Sequence, residues 1–260
     1  LCDRAQPLWE SAWGTVSQNT VMGLNNQAAT YAALGKFDKA GRVLRRSLEI
    51  ATKLEGPEGA AVAKVLGHLG DMYAQQNQLD KAESCLRRAL AIGEAKYGAN
   101  SVMVVPDLKD LGLTERLLGH FTQAKPLYER ALRIREANMP PNAMSRAKDM
   151  NEVAELYGEL GRWDEAIPLA DRSFRLYRRC IASLLPAMSE PAQLRFLSKA
   201  SLRNPVSLAL ARMDDPQVAS LSAGWILNSK GMVLETLAQQ SLALRDAADP
   251  RLGPGIDELK

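Results

Sequence analysis

Five side chains in this 260-residue sequence are of the types that act as nucleophile, proton acceptor or soft metal ligand near neutral pH: Cys2, Cys85, Cys180, His68 and His120. Nucleophilic catalysis would need a thiolate beside an imidazole, and zinc would need Cys or His pairs at short spacing such as C-x-x-C. The sequence offers neither. Its cysteines are odd in number and far apart, with no histidine beside them. Neither a disulfide framework nor a metal is therefore expected, and a reducing, cytoplasmic compartment is the simpler reading. Cys85 sits in the apolar run Cys85-Leu86 and reads as a small core residue, while His68 and His120 read as turn or groove residues. No phosphate-cradling glycine loop, no G-x-G-x-x-G and no H-E-x-x-H occurs, and carboxylate pairs such as Glu152 and Glu155 read as helix surface. No catalytic residue and no cofactor is expected.

Recognition chemistry is better represented. Arg4, Arg46, Arg88, Arg130 and Arg172 stand 42 residues apart and would form a ladder along one side of a repeated structure. Such a ladder either binds phosphate or acidic peptide, or packs its stems on the next unit and pairs with nearby carboxylates. The acidic residues interspersed around it favour packing. The 33 basic and 30 acidic side chains are interleaved, with a formal net charge of +3, which speaks against a nucleic-acid partner. No apolar run approaches the roughly 18 residues of a membrane span. The start at Leu1 lacks a signal segment and fits a piece of a longer protein.

What must position these residues is an internal repeat. Leu24, Leu66, Leu108 and Met150 are 42 apart, as are Ala28, Gly70, Gly112 and Ala154. The same step links Ala40, Ala82, Ala124 and Ala166, then Gly35, Asn77, Gly119 and Gly161, then Phe37, Leu79, Phe121 and Trp163. Apolar and small residues recur at helical spacing within each unit, so each unit is predicted to be two amphipathic helices. The Gly or Asn column ends the first helix, and Asp38, Asp80, Thr122 and Asp164 are expected to N-cap the second, with Asp80 and Glu83 as a capping box. The small-residue columns are where two helix backbones approach closely. Methionines and tryptophans, among them Met72, Met103, Met150 and Trp163, read as packing residues.

The segment Leu66-Gly67-His68-Leu69-Gly70-Asp71-Met72-Tyr73, followed by Leu79-Asp80-Lys81-Ala82 and closing on Arg88-Ala89-Leu90, resembles the tetratricopeptide repeat. The 42-residue step and the loops at Gly56-Pro57 and Gly98 resemble the kinesin-light-chain subtype. The resemblance implies an all-α fold: a right-handed superhelix of four units over residues 21–180, preceded at 1–20 by the second helix of a truncated unit and followed at 181–260 by a non-repeat helical extension. In that extension, Trp225-Ile226-Leu227-Asn228-Ser229-Lys230-Gly231-Met232 and Leu244-Arg245-Asp246-Ala247 resemble the helical linker to a CHAT domain, a caspase-like peptidase domain that would lie beyond Lys260.

The family also implies where a protein or peptide partner would lie, along a groove lined by first helices. Its groove positions map here to Asn25 and Ala29, to Lys64, Gly67 and Asp71, to Lys109, Leu113 and Arg116, and to Lys148, Asn151 and Glu155. Repeats that clamp a C-terminal carboxylate carry Lys and Asn across three units, and Ala29, Asp71 and Pro106 stand at the equivalent places here. A second reading of function is self-assembly, in which open repeat ends stack into a homo-oligomer.

Overall fold

The computed structural model describes residues 11–12, 14–140, 144–184, 188 and 192, and every regular element among them is a helix. In chain order these are α1 (Gln18–Ala33), α2 (Phe37–Glu55), α3 (Ala60–Gln75), α4 (Leu79–Tyr97), a 3-10 turn (Val102–Val104), α5 (Val105–Leu117), α6 (Phe121–Asn138), α7 (Met144–Glu159) and α8 (Trp163–Leu184). The chain divides into two compact units, Leu1–Pro141 and Asn142–Lys260. The first holds three described helix pairs, α1–α2, α3–α4 and α5–α6, and the second holds the α7–α8 pair. Residues 1–10 and most of the expected extension at 181–260 lie outside the described residues.

Each pair is closed by one recurring turn. Gly35, Asn77, Gly119 and Gly161 have φ of 70°, 58°, 80° and 71°, the left-handed backbone that the glycine column predicts. The two amides that follow fold back on the helix just ended. Gly35 N donates to Ala32 O and Lys36 N to Tyr31 O at 2.8 Å in both cases. Gln78 to Tyr73, His120 to Glu115 and Arg162 to Tyr157 repeat the longer bond at 2.8–2.9 Å. This satisfies carbonyls that would otherwise be orphaned at each first-helix end.

One expectation fails at this turn. The second helices begin at Phe37, Leu79 and Phe121, with Lys36, Gln78 and His120 at the N-cap and no side-chain cap bond. Asp38 and Asp80 fall one residue inside the helix, where they favour its positive end as charges rather than as caps. The tight turn feeds the chain directly into the next helix and leaves no extended residue for an aspartate to occupy. Glu83 accepts from Arg87 Nε at 2.7 Å instead of closing a capping box.

The small columns do what their size predicts. Ala28, Ala40, Ala82, Ala124, Ala154 and Ala166 are fully buried, and a Cβ added to Gly70 would lie 2.5 Å from Leu86 Cγ. In the first unit α2 also packs on α3 and α4 on α5, and first helices touch one another, α1 with α3 and α3 with α5. Apolar residues from consecutive pairs therefore merge into shared cores, which no pair could build alone. Met72 and Met150 are buried, whereas Met103 is exposed because it sits in the short turn before α5.

Two members of the arginine ladder are part of this framework. Arg88 on α4 donates through Nη2 at 2.9 Å to the carbonyl of Pro57, in the loop between the first two pairs, and lies 3.6 Å from Glu58. One step along, Arg130 on α6 bonds the carbonyl of Ala99 in the next loop and pairs with Glu94 at 2.5 Å. The glycines before these carbonyls, Gly56 and Gly98, have φ of 78° and 87°.

Position 115 breaks a pattern. Tyr31, Tyr73 and Tyr157 occupy one column, each under a cation: Lys39 at 5.5 Å, Lys81 at 5.6 Å and Arg162 at 4.8 Å from the ring centre. In the third pair the column holds Glu115, whose side chain is 0% exposed. Its carboxylate pairs with Arg87 of α4 and lies 3.0 Å from His120 Nδ1. An ion pair here replaces a ring–cation contact.

Candidate functional site

Neither described thiol is set up for attack. Cys85 is half-buried against the first core and Cys180 is buried. Burial pushes both thiols above their ordinary range, with Arg88 and Arg179 respectively opposing it. A thiol so held is a poor source of thiolate. Among the described residues no three His, Cys, Asp or Glu side chains converge to hold a metal ion, and no helix is long and apolar enough to cross a membrane.

The first-helix side of the first unit is a different kind of surface. A cavity of about 200 Å³ opens between α1 and α3. Ala28, Ala29, Ala32 and Ala33 form one wall, and their methyl groups leave the space that longer side chains would fill. His68, Asp71 and Gln75 form the facing wall, over a floor of Leu44 and Met72. The columns of Ala29 and Ala33 continue as Asp71 and Gln75 on α3, then as Leu113 and Leu117 on α5. Those two leucines are 39% and 54% exposed, so the face alternates apolar, acidic and apolar.

Its electrostatics are unbalanced. Burial lowers the His68 pKa, although Asp71 pulls it back upward, so the imidazole is neutral at pH 7. Partial burial raises Asp71. Asp107, in the first turn of α5, occupies room left by two glycines: Cβ atoms at Gly67 and Gly93 would lie 3.6 and 3.3 Å from its carboxylate oxygens. Burial first, and the charge of Asp71 second, push its pKa up to about 6. Neither carboxylate makes a hydrogen bond or an ion pair among the described residues.

A raised carboxyl pKa means that the folded chain holds the proton more tightly than the unfolded one does. The favourable contribution is complete below about pH 4 and is lost as pH rises through about 6. Asp107→Asn is therefore expected to stabilise the chain at pH 7 by about 1–2 kcal/mol, after discounting for partial exposure and for the lost charge at the helix start. Urea titrations at pH 7 and pH 4 measure this, and an equal gain at both would refute the assignment.

The residues expected to line a groove divide three ways. Asn25 is buried, and its Oδ1 accepts from Ser47 Oγ at 2.8 Å, which ties α1 to α2. Lys64 and Asp71 are exposed on α3, and Lys109 and Arg116 are half-buried on α5, all in the first unit. Lys148, Asn151 and Glu155 lie on α7 in the second unit, where Asn151 Nδ2 donates to Glu155 Oε1 at 2.9 Å. His68, read from the sequence as a turn or groove residue, lines the cavity, whereas the partly buried Asp107 was not singled out. A signal for Asp107 existed: its column reads Gly23, Val65, Asp107 and Asp149, so a carboxylate appears where the earlier units carry small or apolar residues.

The fold and this face define a helical-repeat protein of stacked pairs. Family models described as tetratricopeptide repeat match residues 19–95, 69–137 and 150–179. These matches span more than half of the sequence, and the chain belongs to the tetratricopeptide-repeat family. No curated protein matches it. Among solved structures, the kinesin-light-chain-type, nearly identical TPR-like repeats of Podosopora anserina are similar at 16% identity and a TM-score of 0.57, over 80% of this chain and 96% of that one. BtubC (BKLC) from P. vanneervenii is similar at 18% identity and a TM-score of 0.61, over 96% and 89%. The Rap protein complexed with competence and sporulation factor is similar at 15% identity and a TM-score of 0.54, over 84% and 66%. At these identities the likeness is one of fold.

Proposed function

We propose that the chain is a protein-interaction scaffold that receives a peptide or protein segment on a concave face formed by α1, α3 and α5. The observation that carries this reading is a contrast between two surfaces. Many second-helix charges are paired, on the same helix in Arg87 with Glu83, Arg133 with Glu129 and Arg175 with Asp171 at i,i+4, or across to a neighbouring element in Arg88 with Glu58 and Arg130 with Glu94. The first-helix face presents an open cavity, two exposed leucines and two carboxylates without ion-pair partners. The ladder members Arg88 and Arg130 hold loop carbonyls, which favours packing over binding of an acidic partner. In a longer protein the array would position or restrain the peptidase domain implied by the resemblance at residues 225–247, a segment outside the described residues.

Photo-crosslinking tests the reading. A photoreactive phenylalanine in place of Leu113 is expected to capture a partner from lysate. The same residue in place of Arg133, which is 67% exposed on α6, is expected to capture little. Equal capture at both, or capture from position 133 alone, would overturn the assignment of the face.

A further inference from the structure

We infer that the alanine-walled cavity and the carboxylates beside it receive a basic–apolar peptide segment, with an apolar side chain in the cavity and a neighbouring Lys or Arg set between Asp71 and Asp107. This rests on the scaffold reading above and names the partner's chemistry.

The cavity accounts for the apolar half. Its walls are mostly methyl and methylene groups, and about 200 Å³ is room for one aliphatic side chain. The carboxylates account for the basic half. Glu58, Glu83, Glu94, Glu115, Glu129, Glu165 and Asp171 all have cationic partners within the chain. Asp71 and Asp107 have none among the described residues, a lack they share with Asp38, Glu49, Asp80 and Asp164. Asp107 alone of these lies over Gly67, one helical turn from Asp71, and the Asp71 charge adds to the burial that disfavours ionisation of Asp107. A cation placed between them relieves that repulsion and forms charge-assisted hydrogen bonds. Leu113 and Leu117, exposed on α5, carry apolar surface onward along the column of Ala29 and Asp71 and that of Ala33 and Gln75. An alternating segment thus meets apolar, acidic and apolar surface in turn. The whole chain carries a formal charge of +3, so general attraction does not draw in a basic peptide, and tight binding would report the local site.

The test is fluorescence anisotropy with three labelled peptides of equal length: alternating leucine and lysine, leucine and glutamate, and serine and lysine. The leucine–lysine peptide is expected to bind at least tenfold tighter than either of the others. Asp71→Asn with Asp107→Asn, and separately Ala29→Phe, which fills the cavity from an exposed position, are each expected to weaken it at least tenfold. Circular dichroism confirms that both variants remain helical. Equal affinity for the lysine and glutamate peptides, or no loss in either folded variant, overturns the inference. If position 113 still captures a partner while the leucine–lysine peptide fails to bind, this inference falls alone. If both fail, the scaffold reading falls with it.

Discussion

Arg87→Met is expected to lower the unfolding free energy by about 3 kcal/mol, the range for breaking a buried ion pair from one side. The arginine itself is 52% exposed and would be solvated without its partner, whereas Glu115 is 0% exposed and depends on it. Without Arg87, the carboxylate keeps only His120, 3.0 Å away and itself 48% exposed. Glu115→Tyr in the Arg87→Met background is expected to recover most of the loss. Tyr31, Tyr73 and Tyr157 fill the same column in the other pairs, so the surrounding packing accepts that ring. Urea unfolding of the single and double variants decides the matter. A loss below about 1 kcal/mol for the single variant, or no recovery in the double, would show that the pair does not hold this carboxylate.

Gly70→Val is expected to cost about 2–3 kcal/mol through overpacking. The added Cβ alone would lie 2.5 Å from Leu86 Cγ and 2.7 Å from its Cδ2, so the fully buried Leu86 must shift, and the two further methyl groups of valine demand a larger shift than alanine does. Gly70→Ala is expected to cost much less. Ala28 faces Leu44 at the matching place in the first pair, so a repacked solution exists, and alanine gains roughly 1 kcal/mol over glycine in helix propensity. Thermal unfolding of both variants, together with Gly70→Val/Leu86→Ala, separates crowding from other causes. Crowding predicts partial recovery in the double variant, and a further loss there would rule it out.

Much of this framework was legible because repetition turns weak local signals into columns. Four glycine or asparagine positions 42 apart specify a left-handed turn far better than one would. The helix starts were misread by a residue because Asp38 and Asp80 are N-capping types, and local type does not reveal how tightly the preceding turn closes. Asn25 was expected on the groove because family position places it there, but Ser47 on the facing helix claims its side chain. Such pairing depends on the distance between two helices, which sequence spacing does not carry. Asp107 was hidden for a related reason. Its room comes from Gly67 and Gly93, on two other helices.

The bonds from Arg88 to Pro57 and from Arg130 to Ala99 also bear on how the array would respond to load. Each arginine reaches over the joint between consecutive helix pairs and pins the loop that crosses it. A pull along the array would strain these joints before it strained the helices, and each joint would yield when its own pin broke. The pins end on neutral carbonyls as well as on Glu58 and Glu94, so added salt would weaken the ionic part and leave the carbonyl bond. The first unit thus resembles a spring whose stiffness is set joint by joint, with Arg88 and Arg130 as the adjusting screws at its two joints.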